Sequence, residues 1–73
     1  MKIKTARIIA TLDYNHRVIL NMNSMSRSSK IRIVNVGKDA YLMQGDHKTS
    51  VVNKEELIAS LEHASFFIES WHA

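Results

Sequence analysis

The chain has 73 residues, no cysteine, no proline and two glycines, which is the size of one small domain that buries only about 60% of its unfolded surface. Without Cys it has neither a disulfide framework nor a thiolate metal site, and without a run of about 18 apolar residues it is expected to be a cytoplasmic protein with no membrane span. The net charge of +3 is uneven, since residues 1–54 hold all ten Lys and Arg against three Asp, whereas residues 55–73 hold four Glu and no Lys or Arg.

Residues 2–12 and 17–22 alternate between two sets of side chains, a period of two that predicts β-strands. The polar residues 13–16 between them predict a turn, because Asp and Asn side chains bond readily to nearby backbone groups. The two runs therefore predict an antiparallel hairpin. The side chains expected on its buried face are Ala6, Ile8, Val18 and Leu20.

Three further strands are predicted in the middle of the chain. The polar residues 23–29 predict a mobile loop, and residues 30–36 form the strand that follows it. Branched side chains occupy both alternate positions of 30–36, so the pattern leaves its buried face open. Two turns that each begin with glycine then separate predicted strands at 40–44 and 49–52, the last of which could also be an extended lead into a helix.

Residues 54–71 carry the clearest helical signal. Asn53 is a residue type that caps helix N-termini, and Glu56 follows three positions later, as in a capping box. Beyond this cap, apolar side chains recur at the spacing of one helical face. They are Leu57, Leu61, Ala64, Ile68 and Trp71. The stripe predicts an amphipathic helix that covers the sheet and holds Trp71 against it.

Together these elements predict one α+β domain over residues 1–73. Its core is a four- or five-stranded antiparallel β-meander, followed by one C-terminal amphipathic helix packed on one sheet face. The short connections favour pairing between consecutive strands. The alternative is a small, partly closed barrel capped by the helix, because five short strands can curl.

No residue pattern typical of catalysis or metal binding occurs. His16 and His47 lie in predicted turns, and His63 and His72 are nine residues apart on the predicted helix, so they face different directions. The two glycines are isolated and do not form a phosphate-binding loop. The sequence therefore predicts a non-enzymatic protein with no metal and no cofactor.

The predicted sheet face away from the helix combines arginine with isoleucine. Arg7, Ile9, Arg17 and Ile19 would share this face. Arginine offers a planar hydrogen-bonding group and isoleucine offers apolar area, a composition suited to binding. The alternative is that Ile9 and Ile19 form a cross-strand pair that only stabilises the hairpin. The candidate residues for binding a partner or phosphate are Arg7, Ile9, Arg17, Ile19, Arg27, Lys30 and Arg32.

Phe66 is a candidate second interface on the predicted helix. It lies on the side of the predicted helix away from the apolar stripe. The ring is therefore either covered by another part of the chain or exposed to a partner.

Short length, absence of Cys, uneven charge and absence of a catalytic motif are the features that suggest a function. In these features the chain resembles the small inhibitors and regulators that phages and mobile elements encode, anti-CRISPR and anti-restriction proteins among them. The resemblance implies a protein-binding module that acts on a larger protein or nucleoprotein complex that handles nucleic acid. The alternative is a direct, weakly sequence-specific nucleic-acid binder that uses the basic half, mostly through phosphate contacts because few aromatic rings could stack on bases. A homo-oligomer-forming structural subunit is a third hypothesis.

Overall fold

Two helices pack on one face of a five-stranded antiparallel sheet in the computed structural model, which describes residues 1–25 and 27–73. The elements are α1 (Ile3–Asn15), β1 (Arg17–Ser24), β2 (Arg27–Gly37), β3 (Ala40–Gln44), β4 (Thr49–Val52), α2 (Lys54–Ala64) and β5 (Ile68–His72), with a 3₁₀ turn at Ser65–Phe67 before β5. The strand order is β4-β3-β2-β1-β5. The first four strands therefore form a meander, and β5 adds to the free side of β1.

The predicted α+β class, with an antiparallel sheet and a helix on one face, is confirmed. Strands β3 and β4 occupy the predicted residues 40–44 and 49–52. Within the described ranges, β4 and β5 lie at opposite edges of the sheet and do not pair with each other. The sheet is therefore open, and the barrel alternative is wrong.

The N-terminal segment is a correction, because residues 2–12 belong to helix α1 and not to a strand. The positions that α1 buries are Thr5, Ile8, Ile9 and Leu12, which are spaced three, one and three residues apart on one helical face. Ile8 and Leu12 are four residues apart and fit a period of two as well as a helical period. The alternation that predicted a strand is thus equally compatible with the helix.

The first turn of α1 is capped by a side chain from α2. Lys2, at the N-cap position, provides no side-chain cap. Instead the Glu62 carboxylate accepts hydrogen bonds from the Lys2 N–H at 3.0 Å and from the Thr5 hydroxyl at 2.7 Å. An anion at a helix N-terminus satisfies free donors and interacts favourably with the helix dipole. Tertiary structure supplies this cap, which is why no start signal precedes α1 in the sequence.

The beginning of α2 agrees with the predicted capping box. The Glu56 N–H donates to Asn53 Oδ1 at 2.8 Å, and the Asn53 N–H donates to Glu56 Oε1 at 3.0 Å. Leu57 and Leu61 then point into the core with at most 2% of their surface exposed. The helix therefore starts where the sequence predicts and buries the first two residues of the predicted stripe.

The predicted helix over 54–71 is too long, because α2 ends at Ala64. Lys4 Nζ, from α1, donates to the carbonyl oxygens of Ser65 at 3.0 Å and Ile68 at 2.8 Å. A helix continued to residue 71 would instead pair the Ser65 carbonyl with the Glu69 N–H. With the Ser65 and Ile68 carbonyls bound by Lys4, the chain turns and forms β5 along the free edge of β1.

A β-bulge lets β5 bury side chains at helical spacing. In a regular strand Ile68 and Trp71 would point to opposite faces, because they are three residues apart. In this sheet Ile68 pairs with Met22 and Trp71 pairs with Leu20, and the register shift between them leaves Glu69 as the extra residue. Ile68 is buried, and Trp71 packs against the core. Trp71 is thus held against the core as the stripe predicts, but from a strand.

One hydrophobic core lies between the helices and the inner face of the sheet. Its buried members are Ile8, Ile9, Leu12, Val18, Leu20, Ile33, Tyr41, Leu57, Leu61 and Ile68. Each large apolar side chain that is fully buried contributes about 1.5 to 3 kcal/mol. Every strand residue in this core points to the same side of the sheet, so the stability of the domain depends on that side.

The predicted loop at residues 23–29 is also a correction. Strand β1 continues to Ser24 and β2 begins at Arg27, so most of the segment is paired. Met25 has a positive φ of 55° and is fully exposed. Ser26 lies outside the described residues.

Leu61→Ala tests the docking of α2. The substitution should lower the free energy of unfolding by about 2 to 5 kcal/mol, because Leu61 is buried and its loss leaves a cavity. Urea denaturation measures the change, with Ser60→Ala at an exposed position as the control. A midpoint equal to that of the parent would show that α2 does not dock through Leu61.

Glu62→Gln tests the cap between the helices. The hydrogen bond from the Thr5 hydroxyl, and then that from the Lys2 backbone, holds the pKa of Glu62 below its ordinary value of 4.5. A carboxylate with a lowered folded-state pKa stabilises the fold above its unfolded-state pKa, and this contribution is lost as the pH falls through the folded-state pKa.

Urea denaturation at several pH values should therefore show a loss of stability below about pH 4.5 that is smaller in Glu62→Gln than in the parent. Ser60→Ala, at an exposed position of α2, is the control and should retain the parent's pH dependence. Parallel curves for the parent and Glu62→Gln would show that the cap contributes nothing.

Candidate binding surface

The outer face is the side of the sheet that points away from both helices. Adjacent residues of a strand point to opposite faces, and Val18, Leu20, Ile33 and Tyr41 point into the core. The alternate positions therefore point outward. They include three cross-strand rows: Arg17, Val34, Leu42 and Val51; His72, Ile19, Arg32, Gln44 and Thr49; and Ser70, Asn21 and Lys30.

An apolar strip crosses this face. Val34, Leu42 and Val51 are direct cross-strand neighbours on β2, β3 and β4, and Ile19 on β1 is diagonal to Val34. Val51 is 65% exposed, and the other three side chains are half-buried. Covering such a strip removes apolar surface from water, which favours binding.

Three cations lie beside the strip. Arg17 pairs with Val34, Arg32 pairs with Ile19, and Lys30 lies one row further along β2. All three side chains are exposed, and no salt bridge involves them within residues 1–25 and 27–73. A surface of this kind attracts a negatively charged partner.

Glu69, at the bulge, lines one hollow together with Lys30. Its carboxylate accepts a hydrogen bond from Asn23 Nδ2 at 3.1 Å, at the hairpin end of β1. The hollow, of about 190 Å³, lies there and is lined by Asn21, Met22, Ser28, Ser29, Lys30 and Glu69. Pockets for small molecules are usually larger, about 300 to 1,000 Å³. The outer face is thus better shaped for broad contact than for enclosing a ligand.

Four of the predicted binding residues share the outer face: Arg17, Ile19, Lys30 and Arg32. The hairpin face predicted for β1 is correct, because Val18 and Leu20 are buried and Arg17 and Ile19 alternate with them. Arg27 is exposed at the start of β2, next to the hairpin turn.

Two predicted residues do not join them, because residues 2–12 are helical. Arg7 is exposed on α1, on the helix side of the sheet. Ile9 is 7% exposed and belongs to the core. The expected grouping of Arg7 and Ile9 with Arg17 and Ile19 is therefore wrong.

Phe66 is exposed rather than covered by another part of the chain. It lies in the 3₁₀ turn after α2, its ring is 91% exposed, and its edge-to-face neighbour is Phe67 at 5.5 Å. Lys4 bonds to the carbonyls on either side of this aromatic pair, so the rings lie near the start of α1. Their use as a second interface stays a prediction.

Val34, Leu42 and Val51 are the surface residues that sequence reasoning missed. The branched side chains of β2 occupy both alternate positions, which left its buried face open. The charged residues of β2 give the information that was missing. Lys30, Arg32 and Val34 occupy alternate positions and so point to one face, and Lys and Arg side chains are rarely buried. That alternation would have placed Val34 on the outer face.

The described residues hold no group of three His, Asp or Glu side chains placed to bind a metal ion. None of the helices described is long and apolar enough to cross a membrane. No protein-family model, curated protein or solved structure matches this chain.

Ile19→Asp tests the orientation of the outer face. The melting temperature should stay close to that of the parent, because Ile19 points away from the core and the new carboxylate would lie opposite Arg32. Leu20→Asp is the matched control one residue away, and it should unfold the protein because it buries an unpaired charge. Circular dichroism melts that are equally low for both variants would show that Ile19 belongs to the core.

Proposed function

We propose that this protein is a non-enzymatic binding module that inhibits or regulates a larger, nucleic-acid-handling protein, and that the outer face is its binding surface. The observation that carries this proposal is an open sheet face with an apolar strip and three cations side by side. Neither helix covers this face, because both pack on the opposite side. Apolar area with adjacent arginine is typical of protein interfaces.

The size of the chain limits how such a module can act. A standard interface covers roughly 800 Å² of each partner, which is about a sixth of the 5040 Å² surface of this chain. Five strands spaced about 4.8 Å apart provide a face about 20 Å wide. A module of this size cannot enclose a larger protein, so it would act by covering a surface that the partner needs.

Arginine chemistry supports a partner that handles nucleic acid. Many enzymes that cut or copy nucleic acid hold catalytic metal ions, commonly with carboxylates. The guanidinium groups of Arg17 and Arg32 can form paired hydrogen bonds with carboxylates. Both groups are exposed on one face and could enter such an acidic site. The compositional resemblance to phage-encoded inhibitors agrees with this mode of action.

Direct nucleic-acid binding is the second candidate, and the exposed Arg17, Lys30 and Arg32 favour it. No Phe, Tyr or Trp occurs in the three rows of the outer face. These rows therefore offer no aromatic ring on which a base could stack, and binding would depend on phosphate contacts.

Affinity purification from the protein's own cellular context tests the first candidate. The tagged parent should retain a protein partner after nuclease treatment, and Ile19→Asp should lose it. Arg7→Glu is the control, because it changes a charge on the opposite side of the sheet and should retain the partner. A parent that retains nothing after nuclease contradicts the proposal. If the Phe66→Ser variant loses the partner and the Ile19→Asp variant retains it, the interface lies at the end of α2 and not on the outer face.

Mobility shifts with DNA and RNA test the second candidate. If phosphate contacts dominate, binding at about 50 mM salt should weaken by roughly tenfold or more at about 200 mM, with little sequence preference. Reversing Arg17 and Arg32 to Glu should abolish the shift, whereas Arg7→Glu should have a much smaller effect. Absence of a shift at low salt would remove this candidate.

A further inference from the structure

Cations and apolar side chains form a checkerboard at the centre of the outer face. Arg17 is paired with Val34, and Ile19 is paired with Arg32, on the neighbouring strands β1 and β2. The two arginines therefore lie on one diagonal of this four-residue unit, and the two aliphatic residues lie on the other. Directly paired side chains are about 5 Å apart and diagonal neighbours about 7 to 8 Å apart. A partner that contacts both arginines must also cover both aliphatic side chains.

The checkerboard continues into an apolar region on one side. Leu42 and Val51 extend the row of Val34 across β3 and β4, and Gln44 and Thr49 beside them are uncharged. Lys30 extends the cationic part in the other direction along β2. The face thus has a charged half and an apolar half with Ile19 and Val34 shared between them.

Phosphate groups match only part of this arrangement. They can pair with Arg17, Lys30 and Arg32, but a hydrated phosphate backbone offers nothing apolar to the Val34, Leu42 and Val51 row. Bases could cover that row only by stacking, and the face supplies no Phe, Tyr or Trp for this. Nucleic acid would therefore pair with the cations of the checkerboard and leave its apolar side chains exposed to water.

A second copy of the chain is also a poor match. Two outer faces in contact would lie about 10 Å apart, backbone to backbone. The long side chains of the three exposed cations of each copy would then meet within the screening length of about 8 Å at physiological salt and repel one another. Contact with the acidic first turn of α2, Glu55 and Glu56, would join two different surfaces. Such a head-to-tail contact either closes into a ring or repeats into a filament.

We propose that the outer face binds an acidic protein surface on which carboxylates alternate with, and flank, an apolar strip. Carboxylates pair with Arg17, Arg32 and Lys30, and the apolar strip covers Ile19, Val34, Leu42 and Val51. This identification of the partner's chemistry rests on the proposed function. Arginine's planar group suits a carboxylate that is held at a protein surface beside apolar groups, because both oxygens can accept hydrogen bonds at once.

Fluorescence anisotropy with three labelled probes tests this chemistry. The first probe is a synthetic amphipathic helical peptide with a leucine stripe flanked by glutamates. The second is the same peptide with glutamine at each glutamate, and the third is a single-stranded DNA of about 20 nucleotides, longer than the site of most strand-binding domains. The acidic peptide should bind at least about tenfold more tightly than either other probe, a difference well above typical surface effects.

Variants separate the two parts of the surface. Arg32→Glu and Val51→Ser should each weaken binding of the acidic peptide by about fivefold or more, because each removes one of the two chemistries. Val51 is 65% exposed, so its change should leave the fold intact, and circular dichroism checks both variants. Arg7→Glu is the control and should bind as the parent does. Equal binding of the glutamine peptide, equal or tighter binding of DNA, or no binding of the acidic peptide would overturn the inference.

Two further measurements separate this inference from the proposed function. If a captured protein partner is lost in Ile19→Asp but retained in both Arg32→Glu and Val51→Ser, the proposed function holds and the inference fails. If no protein is captured but the acidic peptide binds as described, the proposed function fails and the chemistry of the face holds. A dimer of the protein alone, seen by sedimentation and lost in Arg32→Glu, would overturn the inference in favour of a second copy.

Discussion

Burial of one side of the sheet by both helices is the constraint on which the rest of the structure depends. Val18, Leu20, Ile33 and Tyr41 alternate with outward residues, and all four point toward α1 and α2. Both described helices lie on this side, so neither covers the other face of the sheet. The open outer face is thus a direct consequence of a one-sided core.

The two ends of the chain are held together by polar contacts that the core alone would not specify. Glu62 of α2 caps α1 through Lys2 and Thr5, and Lys4 of α1 binds the carbonyls where α2 ends. Each helix therefore helps to determine a boundary of the other. The Lys4 contacts lie just before and at the start of β5, which completes the sheet beside β1. Phe66 is left exposed in the turn that precedes β5.

The outer face gains its proposed specificity from the register of the strands. Pairing of Arg17 with Val34 and of Ile19 with Arg32 places unlike side chains next to each other. A shift of one residue would turn every side chain of the shifted strand to the other face, and it would move the arginine of that strand into the core. Burying an unpaired charge is costly. This cost maintains the strand register, and the register in turn maintains the arrangement of charge on the outer face.

The sequence by itself determined the class of the fold, strands β3 and β4, the capping box of α2 and the outward direction of Arg17 and Ile19. These features depend on contacts between residues close in the chain, or on alternation along one strand. Tertiary structure decided the rest. Helix α1 has its cap 60 residues away in Glu62, β5 needs the free edge of β1 and a bulge at Glu69, and the Val34, Leu42 and Val51 row exists only once three strands are in register. Each of these depends on partners distant in the chain, so local periodicity, which Ile8, Leu12, Ile68 and Trp71 satisfy in more than one conformation, could not specify them.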